Sequence, residues 1–139
     1  MTAINWRRVV LAGLVAGLVA NAFDFLITAY LMATEFASMQ ARLGVTEEAA
    51  KAWIPVFAVA DFVWGILLVF TYAAIRPRFD PGPRTAVIGG ITLWLVIVIF
   101  ALVLLALGLH TPQTFLKSSA FYLVSAVVSS VVGAALYKE

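Results

Sequence analysis

Asp24 and Asp61 are the residues of this chain best suited to chemistry, because each interrupts a run that is otherwise apolar. Asp24 lies in Asn-Ala-Phe-Asp-Phe-Leu, within the apolar stretch from Val9 to Met32, and Asp61 lies in Ala-Asp-Phe, within the stretch from Trp53 to Ile75. Neither stretch contains a Lys, Arg or His to neutralise its acid. An aspartate near a bilayer centre costs about 2.5 to 3.5 kcal/mol on insertion scales, and intramembrane carboxylates commonly mark proton, ion or substrate paths. If the two acids approach, like charges in a low-dielectric setting leave at least one of them holding a proton near neutral pH. The chemistry to expect is therefore proton or cation binding, or a buried hydrogen bond that fixes how the helices pack.

Other chemistries find no residues to carry them. His110 is the only histidine and there is no cysteine, so a bis-histidine haem, a thiolate metal site or a disulfide cannot be built within the chain. Two aspartates hold a hard cation only with further carbonyl or water ligands. The serines have no base in their apolar surroundings to activate them, and the pair Gly89-Gly90 reads as a packing contact. The Tyr-Asp and Gly-x-Gly-Asp motifs of intramembrane aspartyl proteases are absent. The expectation is a protein that is not an enzyme, with no cofactor and no metal.

The elements that must position the acids follow from composition. The 139 residues are 64% hydrophobic and 12% charged, far from the roughly half-apolar, quarter-charged balance of soluble domains. Apolar stretches at about 9–32, 53–75, 85–109 and 115–136 each reach the roughly 20 residues needed to cross a bilayer. The expected fold is all-α, a single membrane domain of four transmembrane helices over residues 1–139. Strands of a β-barrel would be shorter and alternating. Arg7 and Arg8 before an apolar run, with Ala20-Asn21-Ala22 beyond, imitate a secretory signal. The run continues past Tyr30, longer than a signal core, and is expected to be retained as a span.

Arg7, Arg8, Arg76, Arg78, Arg84 and Lys138 fall on one side of these spans, and only Arg42, Lys51 and Lys117 on the other. This asymmetry predicts both termini in the cytoplasm. The basic residues sit at span ends, which argues against a nucleic-acid surface. Trp6, Tyr72, Phe79 and Tyr137 would mark the inner interface, and Tyr30 and Trp53 the outer. The first helix is expected to project outward to Gly44, a natural C-terminal cap, with Thr46 capping the next helix and Pro55 kinking or breaking it. Arg-Pro-Arg-Phe-Asp-Pro-Gly-Pro-Arg predicts a non-helical turn between the second and third spans.

Gly13, Gly17, Asn21, Asp24 and Thr28 recur at helical spacing and share one face of the first span. Gly13 and Gly17 form a GxxxG pattern that admits a close neighbour. Ser118, Tyr122, Ser125, Ser129 and Gly133 form a similar stripe on the fourth span, read as the partner face. Counting ~1.5 Å per residue from the outer ends places Asp24 ~13 Å deep and Asp61 and Tyr122 ~12 Å deep. Asn21, Trp64 and Ser125 follow at roughly 16 to 18 Å, a second polar layer.

From Ile-Asn-Trp-Arg-Arg-Val through Tyr-Ala-Ala-Ile-Arg-Pro-Arg-Phe to Gly-Ala-Ala-Leu-Tyr-Lys, the chain resembles uncharacterised small bacterial four-helix integral membrane proteins that open Ile-Asn-Trp. The resemblance implies a bacterial setting and the cytoplasmic (inner) membrane, with no activity to carry over. In size and in the acid of its first helix it also resembles small multidrug transporters, where a glutamate couples protons to export. This chain has Asp24 there, a second acid in Asp61 and a longer outer segment. Two expectations follow. One is a helix-packing or accessory subunit of a larger membrane assembly, slightly favoured because four helices leave little lining for a solute path. The other is a small proton-coupled transporter or cation-binding protein acting as a homo-oligomer.

Overall fold

The computed structural model describes residues 4–137, and among them every regular element is a helix. Lys138, counted above on the inner side, lies outside the described residues. Helix α1 (Trp6–Leu26) runs into a π-helical turn (Ile27–Leu31), followed by α2 (Ala33–Leu43), the short α3 (Glu47–Lys51), α4 (Ile54–Phe79), α5 (Pro83–Ala106) and α6 (Pro112–Leu136). Four helical segments, Trp6–Leu31, Glu47–Phe79, Pro83–Ala106 and Pro112–Leu136, are long and apolar enough to cross a membrane. The shortest has 24 residues and is ~36 Å long against a hydrocarbon core of ~30 Å.

Capping chemistry accounts for most of the boundaries. The Asn5 side chain accepts the Arg8 N–H to start α1, and Gly44 ends α2 in the left-handed region with φ 68°, as its lack of a Cβ allows. Thr46 accepts the Ala49 N–H and starts α3. Pro55 stands in the first turn of α4, just after a break at Ala52 and Trp53, where its missing N–H costs nothing.

Two expectations about punctuation change. The first helix is not one rod to Gly44: the Met32 N–H reaches back five residues to the Ile27 carbonyl, and α2 starts anew at Ala33. The extra residue in a π-turn shifts the phase of everything beyond it. The turn after the second span is also shorter than its three prolines suggest, because α4 continues through Pro77 to Phe79. Pro77 lies in the last turn, where one lost intrahelical bond is tolerable. The end is held from outside: the Thr85 hydroxyl lies 2.9 Å from the Phe79 carbonyl and 2.6 Å from that of Asp80.

Helix α1 packs on α4 and α6, α4 also on α5 and α6, and α5 on α6. The buried cluster around the N-terminal part of α1 and the C-terminal parts of α4 and α6 is built largely from small residues, Val9, Ala12, Ala16, Val69, Ala73 and Ala134 among them, so backbones approach closely through dispersion contacts. The main partner of the glycine pair on α1 is α4 rather than the serine stripe of α6. A Cβ on Gly17 would lie 2.6 Å from the Phe62 Cα, and one on Gly65 would overlap the Gly17 nitrogen and the Gly13 carbonyl oxygen. Helix α6 meets α1 one face over, where Gly133 fits against Ala16 and Val69.

Tyr72 and Tyr137 do not serve as interface rings. Both are 4% exposed and meet edge to face at 6.2 Å. The Tyr72 hydroxyl accepts the Gly82 N–H and the Tyr137 hydroxyl accepts the Asn5 N–H. They tie the ends of α4 and α6 to neighbouring turns, while Trp6, Phe79, Tyr30 and Trp53 stay exposed.

Candidate functional site

The α1–α4 contact sets the level of each acid. Gly13 faces Ile66, Gly17 faces Phe62, and the Asn21 side-chain amide donates to the Ala58 carbonyl at 3.1 Å. Steps forward along α1 therefore match steps back along α4. Continued by one turn, this register sets Asp24 level with Pro55 and Asp61 level with Leu18, a backbone offset of ~9 Å. Counting inward from Ala33 and Trp53 brings the acids to nearly one depth because it assumes the two helices enter together. Side chains reduce the offset: Cα–Cβ bonds tilt toward each helix's N-terminus, so on antiparallel helices Asp24 and Asp61 lean toward each other's level. The two carboxylates are within electrostatic reach of each other, and Tyr122 is within reach of both.

Tyr122 joins the last helix to this pair. Its hydroxyl donates to Asp24 Oδ1 at 2.9 Å. On the other side of the same residue, the Thr28 hydroxyl donates to the Asp24 backbone carbonyl at 2.7 Å, which holds Asp24 at the start of the π-helical turn. Asp61 is half-buried, yet among the described residues its carboxylate has no hydrogen-bond partner.

The second layer is only partly assembled. The Asn21 side-chain amide nitrogen donates twice, to the Gly17 carbonyl at 3.0 Å as well as to that of Ala58. Ser125 is buried and Trp64 half-buried, and neither makes a side-chain hydrogen bond to a described residue. Ser129 Oγ is fully enclosed and has no partner among the described residues. Trp94 carries no motif in the sequence, but its indole N–H donates to the Ser119 carbonyl at 2.8 Å and stitches α5 to α6. Its signal was a tryptophan in mid-span, whose N–H needs an acceptor when dry. Ser130 likewise carries no motif and donates to the Ala86 carbonyl at 2.7 Å.

Above this region, α2 is fastened to the ends of α5 and α6. Lys117 Nζ lies 2.5 Å from Glu35 Oε1, and the Arg42 guanidinium donates to the Leu109 carbonyl at 3.1 Å. The Lys117 hydrogen bond holds the Glu35 carboxyl below the usual glutamate range. Burial, and then the positive charge of Arg42, push His110 below the usual histidine range.

Among the described residues no three His, Cys, Asp or Glu side chains gather at one point. The arrangement is a pair of acids with one phenol, able to hold and exchange a proton. No known family, no curated protein and no solved structure matches the chain.

Proposed function

We propose that this chain is a multi-pass membrane protein, its termini on the cytoplasmic side, in which Asp24, Asp61 and Tyr122 hold an exchangeable proton for proton-coupled transport by an oligomer. One observation carries the reading: Asp61 has no hydrogen-bond partner among the described residues. A carboxylate kept only for packing would be hydrogen-bonded, because even a half-buried charge loses solvation that a partner must replace. Packing explains Asn21 and Asp24, which are both engaged, and leaves Asp61 unexplained. Tyr122 already donates to Asp24, so the proton shared by the two acids comes and goes at Asp61. The basic-residue asymmetry supports the orientation, and the resemblance to small bacterial proteins supports the inner membrane.

The test is infrared spectroscopy of the reconstituted protein, following the carbonyl stretch of protonated carboxyl groups during a pH titration. Parent protein should show a titrating band that Asp61→Asn removes without changing helix content. Both Asp24→Asn and Asp61→Asn should abolish pH-driven uptake or efflux in proteoliposomes. A band that does not respond to pH in the parent, or variants that simply misassemble, would make the acids structural.

The accessory-subunit reading draws on a different observation. Only 17% of the most apolar window is buried in each of the second and third spans, against 33% in the first and fourth. The outer half of α4 exposes Ile54, Val56, Phe57, Val59 and Val63, a face that lipid or another membrane subunit can cover. Reproducible co-purification of a second subunit in mild detergent supports this alternative.

A further inference from the structure

We infer that the groove beside the first turns of α1 is a binding site for an anionic phospholipid. This inference rests on the membrane-spanning reading above. The groove has a volume of about 590 Å³ and is lined by Asn5, Arg7, Arg8, Leu11, Val15 and Leu136, with Ala12 at its floor. That volume falls in the range of small-molecule sites, about 300 to 1,000 Å³.

Its chemistry is graded along one direction. Arg7 and Arg8 are exposed at one end, and among the described residues neither guanidinium has a partner. Among the described residues that line the groove none is acidic. About a turn further along α1 the lining becomes Leu11, and a turn beyond that Val15, with Leu136 of α6 facing them. A ligand that fits has an anionic head and an apolar tail.

The helix itself adds to the demand for an anion. The first turn of α1 contains no acid, so two cations stand at the end of the helix where the dipole is already positive. An anion there relieves both. Trp6, in the same turn, is 61% exposed and fixed by stacking on Phe70 at 5.2 Å, the position of an indole at headgroup level. A phosphodiester between the two arginines, with an acyl chain lying along Leu11 and Val15, satisfies each of these features. A soluble phosphate would use only the first.

Trp6 supplies the reporter. The probe is vesicles of phosphatidylcholine carrying the same small mole fraction of either brominated phosphatidylglycerol or brominated phosphatidylcholine. The Trp6 signal is the difference between the parent and Trp6→Phe. Brominated phosphatidylglycerol should quench it with a preference on the order of tenfold, given the attraction each arginine adds at an anionic surface. Arg7→Gln/Arg8→Gln should bring the preference close to unity. Val15→Phe keeps both charges, narrows the apolar wall and should lower the preference severalfold. Equal quenching by the two lipids in the parent overturns the site, and so does loss of the preference on adding inorganic phosphate. The parent comparison decides even where the double variant does not assemble. If neither lipid quenches any tryptophan, the membrane reading has failed and the site fails with it.

Discussion

The Tyr122 hydroxyl donates to Asp24 Oδ1 across 2.9 Å, one hydrogen bond between residues 98 positions apart that joins the last long helix to the first. Tyr122→Phe keeps the ring and removes the donor. It should destabilise the protein by about 1 kcal/mol, the net worth of a hydrogen bond to a half-buried acceptor, read as a lower thermal unfolding midpoint in detergent. Replacing both groups, Asp24→Leu with Tyr122→Phe, should recover much of that loss, since no polar atom is then stranded. A single variant as stable as the parent would show that water or lipid already serves Asp24.

The Glu35–Lys117 pair predicts that α2 is acid-sensitive. Lys117 holds the folded Glu35 carboxyl below its ordinary value of 4.5. The pair's contribution is therefore complete above that value and is lost as pH falls through the lower, folded one. Hydrogen exchange of the α2 amides, corrected for its intrinsic pH dependence, should show α2 held at neutral pH and loosened in acid. Glu35→Gln should show no such transition, and a parent whose α2 protection is flat across the acid range would dismiss the role of the pair.

Much of the architecture was legible because helices long and apolar enough to cross a membrane announce themselves by composition. Gly44, Thr46 and Pro55 behave as their backbone chemistry predicts, and counting along the spans puts Asp24 and Tyr122 at a similar depth without showing that they touch. What was not legible is which helix meets which. Gly13 and Gly17 advertise a close approach, but small residues stand on both α4 and α6, and only the fold shows Gly65 in the slot. The π-turn at Ile27–Leu31 has no composition signal, so neither the break at Met32 nor the new phase of α2 could be read. Tyr72 and Tyr137 look like interface aromatics in sequence because their burial depends on Gly82 and Asn5, far away in the chain.

His110 offers a clean spectroscopic test, being the chain's one histidine. Burial first and Arg42 second disfavour its charged form, pushing it below the ordinary value of 6.5. The fold therefore favours its neutral form. The associated stability is present above 6.5 and declines as pH falls toward the folded value. The imidazole proton resonance in micelles should titrate with a midpoint below 6.5, and Arg42→Gln should raise it part of the way. A parent midpoint at or above the ordinary value would mean that His110 is solvated.

Two glycines separate close helix packing from mere helix composition. At Gly65 a Cβ would overlap the backbone nitrogen of Gly17 and the carbonyl oxygen of Gly13, and neither can move without displacing α1. At Gly89 the nearest atom to an added Cβ is the Thr71 methyl at 3.6 Å, an ordinary van der Waals contact. Gly65→Ala should therefore force α1 and α4 apart and cost about 3 kcal/mol or more, while Gly89→Ala should be neutral or stabilise by up to about 1 kcal/mol, since alanine is the better helix former. Because Asn21 reaches Ala58 through this same contact, Gly65→Ala should also disturb the Asp61 carboxyl band in the infrared titration, and Gly89→Ala should leave it unchanged. Equal tolerance at the two positions would show that the α1–α4 contact is not the tight one described.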